Sequence, residues 1–183
     1  MKTISPVDGR VYVERIPATA AEIDATLQRA RTAQRHWRGV PSLERAALMQ
    51  RFCAAFEAHA TEIGSELSWQ MGRPIRYAPN EVRGTLERAR YMISIAASAL
   101  GDIDPGAKPG FRRFIRREPL GVVFSVAAWN YPYLIAVNSV VPALLAGNAV
   151  ILKHSAQTPL CAERFAESFA AAGLPPGVFQ VLH

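Results

Sequence analysis

Cysteine is nearly absent from this chain of 183 residues: Cys53 and Cys161 are too few for a disulfide framework, and no C-x-x-C pair is present. That usage fits a reducing compartment. The opening residues MKTISPVDGRVYVER hold no apolar stretch of the kind a signal peptide needs, so a cytoplasmic location is expected. The histidines His36, His59, His154 and His183 are scattered without ligand spacing, which argues against a metal site. No internal repeat or low-complexity segment appears. Charge is missing altogether from residues 119–152, a length that could span a membrane. However, Trp129-Asn130-Tyr131-Pro132, Asn138, Pro142 and Gly147-Asn148 interrupt that run at short intervals. It therefore reads as buried strand, loop, helix, turn and strand, and no membrane partner is expected.

What is present is the composition of a folded domain: half of the residues are hydrophobic and a fifth are charged. The net charge of +6 is concentrated partly in Lys108, Arg112, Arg113, Arg116 and Arg117. Such a cluster could be a nucleic-acid patch. Here the arginines alternate in pairs with Phe111, Phe114 and Ile115, which suits a strand over Phe111 to Glu118 with one wet face. No helix-turn-helix, zinc or RNA-binding signature accompanies it, so no nucleic-acid partner is expected.

Along the chain, Asp8-Gly9 between Ile4 and Val11-Tyr12-Val13 signals a hairpin. Thr19 and Glu22 have capping-box spacing and open a helix whose buried face should carry Ile23, Leu27, Ala30, Ala33 and Trp37. A second helix starts at Pro41-Ser42, with Leu48, Phe52, Ala55 and Phe56 on one face. A third carries Ile63, Leu67 and Met71 and closes at Gly72, with Pro74 beyond. A fourth runs from about Asn80 to Leu100, with Leu86, Ala89, Ile93 and Ala97 inside. Then Gly121 to Ala127 is a continuous apolar strand, as expected where helices cover both faces of a parallel sheet. A helix over about Tyr133 to Leu145, a strand over Ala149 to Lys153, a helix over Leu160 to Ala172 and a strand over Val178 to Leu182 complete a β-α-β-α-β run.

The fold class is therefore α/β: a partial doubly wound, Rossmann-like parallel sheet, preceded by an N-terminal hairpin and helical region. Residues 1–105 form that first region, 106–118 an arm strand, and 119–183 the first half of a nucleotide-binding domain. One expected piece is missing. The first strand-to-helix turn holds A-A-W-N-Y-P in place of G-x-G-x-x-G, so pattern alone names no cofactor.

The stretch REPLGVVFSVAAWNYPYLIAVNSVVPALLAGNAVILKHSAQTPL (117–160) closely resembles the aldehyde dehydrogenase superfamily. Its pieces E-P-L-G-V, W-N-[FY]-P, P-A-L-x-x-G-N and a strand ending in Lys before T-P-L occur in order, with 23 positions from Asn130 to Lys153. M-G-R-P (71–74) and A-G-L-P-x-G-V-F-Q (172–180) fit as well, so the resemblance covers essentially the whole chain. The L-K-H run and compact N-terminus look similar to bacterial succinate-semialdehyde-type members, with other short-chain aldehydes left open.

The resemblance implies oxidation of a small aldehyde to an acid with NAD or NADP, through a cysteine thiohemiacetal and a glutamate-activated water. It implies that the side-chain amide of Asn130 donates to the developing alkoxide; the alternative is an asparagine that merely shapes the turn before Pro132. Val126, Ala127, Ala128 and Trp129 would lie along the cofactor, although Trp129 could equally be a core aromatic. Lys153 would bond the adenosine ribose hydroxyls, or else be a solvated strand-end lysine. His154, Ser155 and Ala156 complete the cofactor turn. Many NAD-preferring members carry glutamate at the position of Ala156. Without that carboxylate, NADP should be tolerated or even preferred. The nucleophilic cysteine and base glutamate are expected downstream of residue 182, with Cys53 and Cys161 acting as small buried hydrophobes. The 183 residues alone are then expected to be inactive, and either form part of a complete enzyme or act as a non-catalytic homologue that binds nucleotide weakly or pairs with full-length subunits. The arm implies a homo-oligomer, dimer or tetramer, and an open sheet edge favours self-association.

Overall fold

The computed structural model describes residues 1–183. Its hairpin pairs β1 (Lys2–Ile4) antiparallel with β2 (Val11–Glu14), with an irregular register after Thr3. Gly9 takes the turn at φ 74°, a left-handed value that a side chain disfavours. Four helices follow: α1 (Ala20–Trp37), α2 (Ser42–Ala58), α3 (Ala60–Met71) and α4 (Ala78–Leu100). The capping box is formed, with Thr19 accepting from the Glu22 amide and Glu22 accepting from the Thr19 amide. Gly72 ends α3 at φ 76°.

Strands β3 (Val122–Ala127), β4 (Ala149–His154) and β5 (Phe179–Leu182) lie parallel in that order, connected by α5 (Pro132–Leu145) and α6 (Leu160–Ala171). Both crossover helices pack on one face, backed by α2, α3 and α4. Phe52, Phe56, Tyr133, Phe165, Phe169 and Phe179 interlock there, with Phe52 and Phe169 stacked at 4.1 Å. This core draws on both the helical region and the sheet, so residues 1–105 and 119–183 share one interior.

Both ends of α5 are tied down by the N-terminal helices. At its C-terminal end, Trp37 Nε1 donates to the Leu144 carbonyl at 3.0 Å and Arg45 Nε to the Leu145 carbonyl at 2.8 Å. These satisfy carbonyls that a helix end leaves without partners. The following Asn148 side chain joins α5 to β3, accepting from the Gly121 amide at 2.9 Å and donating to the Ala143 carbonyl at 3.1 Å.

Three expectations are corrected. The buried face of α1 is Thr26, Ala30, Gln34 and Trp37, whereas Ile23 is exposed; on α4, Ala96 is buried and Ala97 is not. Residues 111–118 form no strand. Only isolated bridges Ile103–Ile115 and Lys108–Phe111 occur, and the arginines of this exposed segment bond to residues 101–106 instead of flanking a ladder. Arg116 meets Asp102 at 2.8 Å, Arg117 donates to the Gly101 carbonyl, and the Arg116 guanidinium lies 4.7 Å from the Phe114 ring centre. Finally, helices cover only one face of the sheet fully. Val123, Ser125 and Ala127 point to α5, while Phe124 and Val126 on the opposite face are 60% and 65% exposed. That second face meets only α1, through Ala30 and Leu27 against Ala149 and Ile151.

Candidate functional site

Parallel strands place their carboxyl ends together, and the loops leaving them make the site in an open α/β sheet. Val126 pairs with Lys153, and Lys153 with Leu182, so these three side chains share the open face at that edge. Between Lys153, Leu182 and α1 runs a groove of about 460 Å³. Its walls are apolar, with Ile23, Leu27, Phe124, Ile151 and Leu182 among them, and Lys153 is a cation on its lining. The half-buried Lys153 ammonium makes no ion pair with any carboxylate. An apolar slot with one unneutralised cation at the carboxyl edge suits a flat ring system bearing hydroxyl or phosphate groups. The residues present therefore fit a nicotinamide dinucleotide.

Asn130 lies in the loop between β3 and α5, its side chain exposed and free of intrachain hydrogen bonds. Trp129 is 53% exposed, which removes the core reading of that aromatic within this chain. Ala128 is also exposed. Thus Val126 pairs with Lys153, and Ala128, Trp129 and Asn130 follow as exposed residues of the loop leaving β3.

Two of the expected cofactor residues face the other way. Ala127 is buried toward α5, and His154 is only 1% exposed. The His154 Nδ1 accepts from the Ser155 amide at 2.9 Å and meets Thr158 Oγ1 at 3.0 Å. Its Nε2 then carries the proton and donates to the Pro132 carbonyl at 3.2 Å. His154 is thus a neutral strut between β4 and α5, not a cation offered to a phosphate. Burial pulls its pKa down to about 4, aided by Lys153 and His183 and opposed by the Pro132 hydrogen bond. A folded-state pKa below the ordinary 6.5 favours the native state when the ring is neutral. That stability is complete above the unfolded pKa and is lost as pH falls through the folded one. Chemical denaturation should show native stability dropping by roughly a few kcal/mol from this group between neutral and acid pH. His154→Gln should flatten that part of the profile; an unchanged slope would rule the ring out as its source.

The turn after β4 is held from a distance. Thr3 Oγ1 in β1 donates to the Ala156 carbonyl at 2.7 Å, Gln157 Nε2 donates to the Gln70 carbonyl, and Gln70 Oε1 accepts from the Leu160 amide at 3.0 Å. Ser155 Oγ accepts from the Gln157 amide at 3.2 Å. Ala156 itself is exposed. The hairpin thus braces the turn after β4, a role its sequence did not announce.

The N-terminus of α5 is where a dinucleotide fold commonly takes pyrophosphate. Here an internal anion occupies it. Glu81 of α4, its side chain 1% exposed, accepts from the amides of Tyr133 and Leu134, both at 3.1 Å. Its other oxygen meets Arg73 Nη1 at 2.6 Å, and Arg73 Nη2 donates to the Asn130 carbonyl at 2.8 Å. Sequence reasoning missed both residues. The available signal was a carboxylate at position 81 on the same helical stripe as Thr85 and Ala89, where every other member is buried and uncharged.

The cysteines match their sequence reading. Both are buried, and burial raises Cys53 to about 11 and Cys161 well above its ordinary value, so neither is a ready thiolate. No three His, Cys, Asp or Glu residues converge on a metal position. No helix is long and apolar enough to cross a membrane.

This arrangement recurs in proteins of known kind. Residues 1–183 match the aldehyde dehydrogenase family. The 3,6-anhydro-α-L-galactose dehydrogenase of Streptomyces coelicolor is 34% identical over 182 residues, covering 100% of this chain and 37% of that protein. The crystal structure of PnpE in complex with nicotinamide adenine dinucleotide superposes with a TM-score of 0.93 at 30% identity, over 100% of this chain and 37% of that one. The succinic semialdehyde dehydrogenase of Streptococcus pyogenes, in complex with NADP⁺, gives 0.90 at 25% identity, over 99% of this chain and 40% of that one. The chain thus spans little more than a third of the relatives it matches. Its motifs, its three-stranded parallel sheet and its match to the family along residues 1–183 lead to one conclusion: the chain belongs to the aldehyde dehydrogenase family.

Proposed function

We propose that this chain supplies the oxyanion donor and the first half of the cofactor site of an NAD(P)-dependent aldehyde dehydrogenase acting on a short aldehyde. The observation that carries this reading is the unpaired Lys153 cation on an apolar groove at the end of β4, with the exposed Asn130 amide in the loop that leaves the neighbouring strand β3. In the net reaction a hydride leaves the aldehyde carbon for the nicotinamide, and water supplies the second carboxylate oxygen, releasing two protons. Bound NAD(P)⁺ supplies the hydride acceptor. Asn130 Nδ2 donates to the aldehyde oxygen as negative charge develops there under attack by a cysteine thiolate from outside this segment. Lys153 holds ribose hydroxyls, with Val126, Ala128 and Trp129 along the dinucleotide. Residues 1–105 brace the site, 119–183 carry it, and 106–118 serve as an arm for homo-oligomerisation as a dimer or tetramer.

Ala156 and Ser155 offer no carboxylate to a 2′-phosphate, which supports acceptance of NADP as well as NAD. Ala156→Glu in the full-length enzyme should weaken NADP⁺ relative to NAD⁺ by roughly tenfold or more, because a carboxylate then faces the phosphate. Steady-state assays with both cofactors and a panel of short aldehydes read the ratio. Absence of aldehyde-dependent cofactor reduction in the parent enzyme would overturn the function. An unchanged ratio in the variant would overturn only the placement of Ala156.

A further inference from the structure

Catalysis by a hydrogen-bond donor depends on its aim, and the Asn130 side chain has no partner of its own to aim it. Its backbone does. The Asn130 carbonyl is held at 2.8 Å by Arg73 Nη2, whose guanidinium also lies 5.0 Å from the centre of the Tyr131 ring. Arg73 is in turn fixed by Glu81 at 2.6 Å, and the two side chains are only 13% and 1% exposed. The same Glu81 carboxylate binds the amides of Tyr133 and Leu134. One buried ion pair therefore grips the chain on both sides of Tyr131-Pro132, fixing the peptide plane that follows Asn130 and the helix that begins two residues later.

We propose that Arg73, oriented by Glu81, is a positioning residue that sets the direction of the Asn130 amide. This rests on the reading of Asn130 as the oxyanion donor. The physical reason is geometric. The planar guanidinium presents two nitrogens in a fixed fork, so one reaches the carboxylate while the other reaches the carbonyl. The side chain of Asn130 leaves the same Cα whose carbonyl is held, so rotation of that peptide swings the amide away from the reacting oxygen. Arg73 itself enters the fork from a rigid support. It follows Gly72, which adopts φ 76° and where an added Cβ would come within 3.0 Å of Pro6 in the hairpin.

Arg73→Lys tests this, because lysine keeps a cation beside the buried Glu81 but carries its donors on one nitrogen. The full-length enzyme is assayed at saturating NADP⁺ with propanal, glycolaldehyde and benzaldehyde, taking the aldehyde that is turned over fastest. Displacement of a catalytic group by about an ångström is costly, so kcat should fall roughly 10- to 100-fold with the KM for NADP⁺ nearly unchanged. Arg73→Lys added to Asn130→Ala should lower kcat little further, since the arginine acts through the amide. A merely structural arginine would instead give multiplying losses that track the melting temperature. Unchanged kcat in Arg73→Lys, or multiplying losses in the double variant, would overturn the proposal while leaving the role of Asn130 intact. Full turnover by Asn130→Ala alone would overturn the role of Asn130, and the positioning role with it.

Discussion

Asn130→Ala is expected to lower kcat for aldehyde oxidation by about 100- to 1000-fold in the full-length enzyme, as loss of an oxyanion donor does elsewhere. The argument is differential. A neutral aldehyde oxygen gains little from an amide N–H, whereas an alkoxide in a water-poor site gains much more. The loss should therefore fall on kcat and on kcat/KM together, not on cofactor affinity. Stability should hardly change, because the Asn130 side chain is exposed and bonds to nothing within the chain. Asn130→Asp should be no better than alanine, since a carboxylate opposes the developing negative charge. Steady-state kinetics and a thermal melt together decide the matter. Turnover within a few-fold of the parent would return Asn130 to the role of a turn residue before Pro132.

Glu81→Ala is expected to be the most destabilising single change in the site, at about 3–5 kcal/mol, the usual penalty for removing one partner of a buried ion pair. Three groups lose their acceptor together: Arg73 Nη1 and the amides of Tyr133 and Leu134. The Arg73 side chain, 13% exposed, has little water to replace it. The α5 N-terminus also loses a negative charge that complements its dipole. For a chain of this size the melting temperature should fall by roughly 10 °C or more. Glu81→Gln should be milder, because an amide oxygen still accepts from the helix although it no longer neutralises Arg73. A melt of Glu81→Ala within a degree or two of the parent would show that the pair contributes no net stability.

Much of the architecture could be read from residue order. Asp8-Gly9 specified the hairpin, Thr19 and Glu22 the start of α1, Gly72 the end of α3, and the apolar runs at 121–127 and 149–153 two parallel strands. These features are local: each depends on a turn, a cap or a short period of side chains, so the sequence carries the information in one place. The placement of Val126 beside Lys153 was legible for a related reason. In a parallel β-α-β unit, two strand ends must lie side by side.

What failed was whatever depends on a partner distant in sequence. The arm at 111–118 alternates like a strand, yet an isolated alternating segment has no ladder to join, and its arginines bind Asp102, the Gly101 carbonyl and the Phe114 ring instead. Continuous apolar character in β3 suggested cover on both faces; the fold leaves Phe124 and Val126 open, because hydrophobicity states a preference for burial without naming what buries it.

The sequence by itself determined the elements, their order, the family and the strand edge at which the chemistry is read. Only the tertiary structure decided which of two neighbouring residues faces the groove. Side chains alternate across a strand, so the turn to the open face that gives Lys153 to the groove sends His154 into the core, where burial keeps it neutral. Tertiary packing also brought Arg73 to the Asn130 carbonyl, 57 residues on, and Glu81 to the Tyr133 amide, 52 residues on. No local pattern encodes such a contact. It arises because a buried carboxylate has to find a cation and hydrogen-bond donors wherever the fold supplies them.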